Sequence, residues 1–209
     1  MNPSVEDVCR LAPVIPVLIV EDVATAAPLA RALCAGGLRA LEVTLRTPAA
    51  LDVIRAMVAA APDAVVGAGT LMTPEDVRAA KAAGARFGVS PGCTDRVLDA
   101  AEAEGLPMLP GVATPGEAMR AAERGLSILK FFPAEANGGA KALGAWASPL
   151  AKLRFCPTGG VSLENARDYL KLPNVLCVGG SWVAPKDAVA EGDWARIEAL
   201  AAEAAALTA

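Results

Sequence analysis

Histidine is missing from this sequence altogether. It is the commonest general base and a common zinc ligand. Without it there are no Ser–His or Cys–His nucleophile pairs and no histidine-ligated metal sites. Proton transfer falls to a carboxylate, lysine, tyrosine, cysteine or water, and neither a metal nor a cofactor is expected. Paired cysteine spacing is missing too: Cys9, Cys34, Cys93, Cys156 and Cys177 form no Cys-x-x-Cys. An odd, scattered set reads as reduced core thiols of a cytoplasmic protein. Although 54% of the residues are hydrophobic, no run approaches the roughly 18 uninterrupted apolar residues of a membrane span. The segment from Met1 to Arg10 carries acids and lacks a basic head before an apolar stretch, so it does not read as a secretory signal. Basic blocks are also lacking, and the net charge is −4, which argues against nucleic acid as a partner.

What is present is alternation. Apolar, β-branched runs fall at 14–20, 38–45, 64–70, 86–91, 107–112, 128–133, 154–160 and 175–181, with Ala-rich amphipathic stretches such as Val23–Ala35 and Thr94–Glu104 between them. Such a pattern means βαβ units and a parallel sheet. Thr47-Pro48, Thr73-Pro74 and Thr114-Pro115 each put a capping hydroxyl before a proline at a first helical position, with Asp76 and Glu117 placed to complete capping boxes. Gly84, Gly105 and Gly125 stand where helices should stop. Eight units in 209 residues predict one (β/α)8 barrel domain over 1–209, at the compact end of that fold, in preference to an open doubly wound sheet. An extra helix over 3–12 precedes the first strand.

Lys130 stands out chemically. The other lysines (Lys81, Lys141, Lys152, Lys171, Lys186) fall in predicted helices or loops, whereas Lys130 interrupts the apolar strand Ile128-Leu129-Lys130-Phe131-Phe132. A buried lysine is rare unless paired or functional. Burial disfavours a charged amine, and a neutral amine attacks a carbonyl to form a Schiff base. The competing reading is a strand-end lysine snorkelling to solvent. Glu42 is the matching carboxylate. Period-2 alternation puts Glu42, Thr44 and Arg46 on one face of the second strand, towards the interior near the C-terminal mouth where barrel active sites lie. Arg46 suits a substrate carboxylate through its planar donor fork, although a structural Glu42–Arg46 interaction would fit the same pattern. Gly159-Gly160 after strand 7 and Gly179-Gly180-Ser181 after strand 8 occupy the usual phosphate-binding places of these barrels, where backbone N–H groups meet a helix N-terminus. Gly67-Ala68-Gly69 begins like a dinucleotide fingerprint but meets Met72 instead of a third small residue; Thr70 remains a plausible ligand contact. Glu21 beside Asp22 reads as a solvated loop, and Cys93 as incidental.

These motifs together resemble the 2-keto-3-deoxy-6-phosphogluconate (KDPG) / 4-hydroxy-2-oxoglutarate (KHG) aldolase family. The resemblance spans almost the whole chain through Glu42-Val43-Thr44-Leu45-Arg46-Thr47, Gly67-Ala68-Gly69-Thr70, Ser90-Pro91-Gly92, Pro110-Gly111, Lys130-Phe131-Phe132-Pro133-Ala134, Pro157-Thr158-Gly159-Gly160 and Val178-Gly179-Gly180-Ser181. It implies that Lys130 forms a pyruvate Schiff base and that Glu42 is the general acid/base, acting through a water. It implies that Arg46 and Thr70 bind the pyruvyl carboxylate, that Pro91, Phe132 and Thr158 shape the pocket, and that Gly159, Gly160, Gly180 and Ser181 cradle a phosphate. A class I aldolase cleaving KDPG to pyruvate and glyceraldehyde 3-phosphate follows, assembled as a homotrimer. The phosphogalactonate-derived acid and the unphosphorylated KHG are alternative substrates. An isomerase or epimerase using Lys130 only as a charge, and a non-catalytic phosphosugar-binding barrel, are readings of other classes.

Overall fold

The computed structural model describes residues 3–207. Eight strands are present: β1 (Val14–Leu18), β2 (Ala40–Thr44), β3 (Val65–Gly69), β4 (Gly88–Ser90), β5 (Met108–Val112), β6 (Ile128–Phe131), β7 (Arg154–Pro157) and β8 (Val178–Gly180). The helices are α1 (Val5–Cys9), α2 (Ala26–Ala35), α3 (Ala50–Ala60), α4 (Pro74–Ala82), α5 (Asp95–Ala103), α6 (Pro115–Glu123), α7 (Gly139–Ala145), α8 (Ala166–Leu170), α9 (Lys186–Glu191) and α10 (Trp194–Ala205). All strand pairings are parallel, in the order β7-β6-β5-β4-β3-β2-β1-β8. The bridges Phe155↔Val175 and Thr158↔Gly179 join β7 to the chain entering β8 and bring the two sheet edges together. The result is the expected (β/α)8 barrel, and α1 is the expected extra helix. No helix among the described residues is long and apolar enough to cross a membrane.

Two apolar cores follow from the period of two along each strand. Leu41, Val43, Val66, Ala68, Leu129 and Phe131 point outward and pack under the helices. Ile15, Ala40, Val65, Phe87, Val89, Leu109, Ile128, Cys156 and Cys177 fill the interior, and Val8 and Cys9 of α1 join them. α1 therefore plugs the N-terminal end of the barrel.

The helix punctuation is largely as expected. Thr73 and Thr114 both form complete capping boxes, with Asp76 and Glu117, and each is followed by proline at the first turn. Gly84, Gly105 and Gly125 end α4, α5 and α6 in left-handed backbone, at φ of 97°, 57° and 81°. Thr47 departs from expectation. α3 starts at Ala50 behind Ala49, and the Thr47 hydroxyl donates instead to the Val20 carbonyl at 2.7 Å. The strands also stop short of the apolar runs at the mouth, because those last residues belong to the site loops. Gly159 and Gly160, at φ of 97° and 78°, cannot continue a strand.

Candidate active site

Interior positions near the mouth carry a second, polar layer. Glu42 and Lys130 lie one strand step above Ala40 and Ile128, and each has a glycine as a cross-strand partner, Gly67 and Gly111 respectively. Lys130 Nζ lies 3.5 Å from Glu42 Oε1, and both side chains are only 3% exposed. The amine also stands 5.1 Å from the centre of the Phe132 ring. Lys130 therefore does not snorkel to solvent. Its partner is the carboxylate named from the sequence, 88 residues away.

Gly69 explains the Gly-Ala-Gly run that resembles a nucleotide motif. A Cβ there would sit 2.2 Å from Glu42 Oε1, so glycine leaves the space the carboxylate occupies. A Cβ on Gly67 would strike the Phe87 ring at 2.4 Å. These glycines serve packing around the acid. Thr44 is fully buried, and its hydroxyl donates to the Leu18 carbonyl at 2.9 Å, which ties β2 to β1.

Arg46 does not pair with Glu42. Its Nε donates to Thr70 Oγ1 at 3.1 Å. Thr70 has φ of 63°, the single non-glycine residue in left-handed backbone among the described residues. For a β-branched residue this conformation is strained by about 1–3 kcal/mol, and such strain concentrates at functional sites. Here it holds the hydroxyl against Arg46.

One cleft gathers most of the remaining candidates. It is lined by Arg46, Phe132, Thr158, Gly159, Gly160, Gly180 and Ser181, together with Val17, Ile19, Val161 and Gly179. Val17 is the cross-strand partner of Glu42, and the Phe132 ring stands against Lys130, so two walls of the cleft adjoin the buried pair. Thr70 reaches the cleft through Arg46, and Pro91 does not line it. The Pro91 carbonyl closes over β5, where a Cβ on Gly111 would meet it at 2.2 Å. Sequence reasoning missed Val17 and Ile19, although both continue the interior face that starts at Ile15. Val161 carried no signal beyond following two glycines.

The glycine loops differ from expectation in one respect. The helices after them begin only at Ala166 and Lys186, so the loops do not run straight into a helix N-terminus. Among the described residues, the backbone N–H groups of Gly160, Val161 and Ser181 donate to no protein acceptor. These three amides therefore stay unpaired by protein groups at the rim of the cleft. Cys93 remains outside the site, and burial followed by nearby Asp95 pushes its thiol above the ordinary range. That is the wrong direction for a nucleophile.

The family model described as KDPG and KHG aldolase matches residues 5–200, nearly the whole chain and all of the elements that carry this pair and cleft. This chain belongs to that aldolase family. The 2-dehydro-3-deoxy-phosphogluconate aldolase of Dickeya dadantii is 52% identical over 203 residues, 97% of this chain and 95% of that protein. Among solved structures, the KDPG aldolase of Legionella pneumophila, with pyruvate captured as a covalent carbinolamine, is similar at a TM-score of 0.95. It shares 42% identity over 99% of this chain and all of its own. The Zymomonas mobilis ZM4 aldolase, solved with 3-phosphoglycerate, has a TM-score of 0.92 and 49% identity over 99% of this chain and 97% of that one. The barrel of this aldolase is thus the family's fold.

Proposed function

We propose that this aldolase cleaves KDPG to pyruvate and glyceraldehyde 3-phosphate through a Schiff base on Lys130. The observation that carries the reading is the buried Lys130–Glu42 pair at 3.5 Å beneath the cleft. Passing the ammonium proton to the carboxylate side frees the amine lone pair, which attacks the C2 ketone. The carboxyl then returns that proton to the departing hydroxyl, and loss of water from the carbinolamine gives an iminium while Glu42 is again a carboxylate. Glu42, directly or through a water, takes the proton of the C4 hydroxyl, and the C3–C4 bond breaks. Its electron pair flows into the iminium, leaving an enamine and the free aldehyde. Protonation at C3 and hydrolysis then release pyruvate and regenerate Lys130.

Arg46, steadied by Thr70, would bind the pyruvyl carboxylate, with Phe132 and Thr158 shaping the pocket around it. The amides of the Gly159-Gly160 and Gly180-Ser181 loops would hold the phosphate. The carbinolamine captured in the Legionella relative and the phosphoglycerate in the Zymomonas relative support these two halves of the site. The family's second substrate, KHG, lacks the phosphate and would use the same lysine. The test is to incubate with pyruvate and borohydride and locate the modified residue by mass spectrometry. A stable adduct on Lys130 supports the reading, and its absence, or an adduct elsewhere, overturns it.

We infer also that the protein works as a homotrimer in the cytoplasm. Exposed Met72 and Met119 offer apolar surface to a partner subunit, and light scattering would read the mass. All five cysteines are free. Cys177 contacts both Cys156 and Cys9, and these contacts, with burial, push its thiol well above the ordinary range. Adjacent thiols left unjoined suit a reducing compartment.

A further inference from the structure

Amides can grip a phosphate only if their loop is held still, and the loop after β7 is built on two glycines in left-handed backbone. Three successive carbonyls of this loop are tied from outside. Thr158 O accepts from Ala134 N–H at 2.8 Å, and Gly159 O accepts from Glu135 N–H at 3.0 Å. Gly160 O accepts from the Asn165 side-chain amide at 3.1 Å, and Asn165 in turn accepts from Ser162 N–H at 2.8 Å. The stem of Glu135 lies flat on Gly160, where a Cβ would approach Glu135 Cγ to 2.6 Å. Glu135 is exposed, and a free glutamate side chain would not hold this place. What fixes it is Tyr169 of α8, a fully buried residue whose hydroxyl donates to Glu135 Oε1. Burial, followed by this carboxylate, raises the phenol's pKa, so it remains a donor throughout the physiological range.

We propose that Tyr169 is a positioning residue for the phosphate end of the substrate, acting through Glu135 on the Gly159-Gly160 loop. The inference rests on the assignment of that loop as the phosphate site. α8 then holds the loop twice, through Asn165 at its start and through Tyr169 one turn later. The tyrosine hydroxyl has a second effect. It engages the carboxylate away from the loop, so that a negative charge does not swing towards the bound dianion. Among the described residues, Tyr169 makes no hydrogen bond to Lys130 or Glu42, whose own contact is to each other, so the reacting end of the substrate should not register its loss.

The experiment compares Tyr169→Phe, Glu135→Gln and Ser181→Asp on KDPG and on KHG, with borohydride trapping of pyruvate as the control for the catalytic end. Removing the hydroxyl should lower kcat/KM on KDPG by about 3- to 10-fold, the scale of one hydrogen bond, mainly through KM. KHG turnover and pyruvate trapping should be unchanged. Glu135→Gln keeps an acceptor for Tyr169 and should retain wild-type KM on KDPG. If Tyr169→Phe loses its fold, Glu135→Ala at the exposed end carries the same comparison and should show the same selective loss. Equal falls on both substrates would make Tyr169 a purely structural residue and overturn the proposal. No fall for Tyr169→Phe, with a selective fall for Ser181→Asp, would overturn it while leaving the phosphate site standing. No selective fall for Ser181→Asp would remove the phosphate site and the proposal together.

Discussion

The two ends of the barrel interior are built from the same strands and do opposite things. Near α1, the inward positions are Ile15, Ala40, Val65, Phe87, Ile128, Cys156 and Cys177, closed off by Val8 and Cys9. One strand step towards the mouth, β2 changes from Ala40 to Glu42, β6 from Ile128 to Lys130, and the β7 run from Cys156 to Thr158. The lower layer makes no polar demand and excludes water from below. The upper layer places an amine and a carboxylate on that apolar floor, both only 3% exposed. The burial of the pair is thus supplied from below by an apolar layer that does not line the cleft.

The sharpest way to break this contrast is Lys130→Ala. Cleavage and borohydride labelling with pyruvate should both vanish. Circular dichroism should still show the barrel, with a lower Tm because Glu42 keeps its burial and loses its partner. Normal labelling in this variant would take the nucleophile's role from Lys130. Glu42→Gln comes next, with turnover lower by about 100-fold or more, the scale of general acid–base catalysis. Exchange of the methyl protons of bound pyruvate, followed by NMR, should slow with it. An unchanged exchange rate would assign the proton transfers to another group.

Ser181→Asp probes the rim. A carboxylate set against a phosphate dianion in a confined site should cost more than the roughly 1 kcal/mol of a surface pair, so kcat/KM on KDPG should fall by about 10-fold or more. KHG turnover should be spared. The smallest effect on turnover belongs to the floor. Cys177→Ala removes one buried sulfur and should lower stability by about 1 kcal/mol, read as a reduced denaturation midpoint. Turnover per folded molecule should stay at the wild-type value. A large loss of turnover there would mean that the two layers are mechanically coupled.

Much of this was legible in order along the chain. The eight apolar runs all became strands, and the Thr-Pro starts of α4 and α6 capped as their residues require. Such features are local: a hydroxyl, a proline and an acid three residues later meet within one turn whatever the rest of the molecule does. Thr47 shows the limit. It has the same Thr-Pro signature, yet a tertiary acceptor, the Val20 carbonyl, lies in reach and takes the hydroxyl. Gly67-Ala68-Gly69 shows another limit. Its glycines are explained by Phe87 and Glu42, side chains supplied by neighbouring strands.

The sequence by itself determined the period of the barrel, the isolation of Lys130 in an apolar strand and the polar face of β2, because each depends on spacing within one segment. Only the tertiary structure decided that Lys130 meets Glu42, that Arg46 turns to Thr70, and that Tyr169 reaches Glu135. Those pairs bridge 88, 24 and 34 residues. Distances of that kind arise when strands take their register and helices pack against them, and no local spacing encodes them.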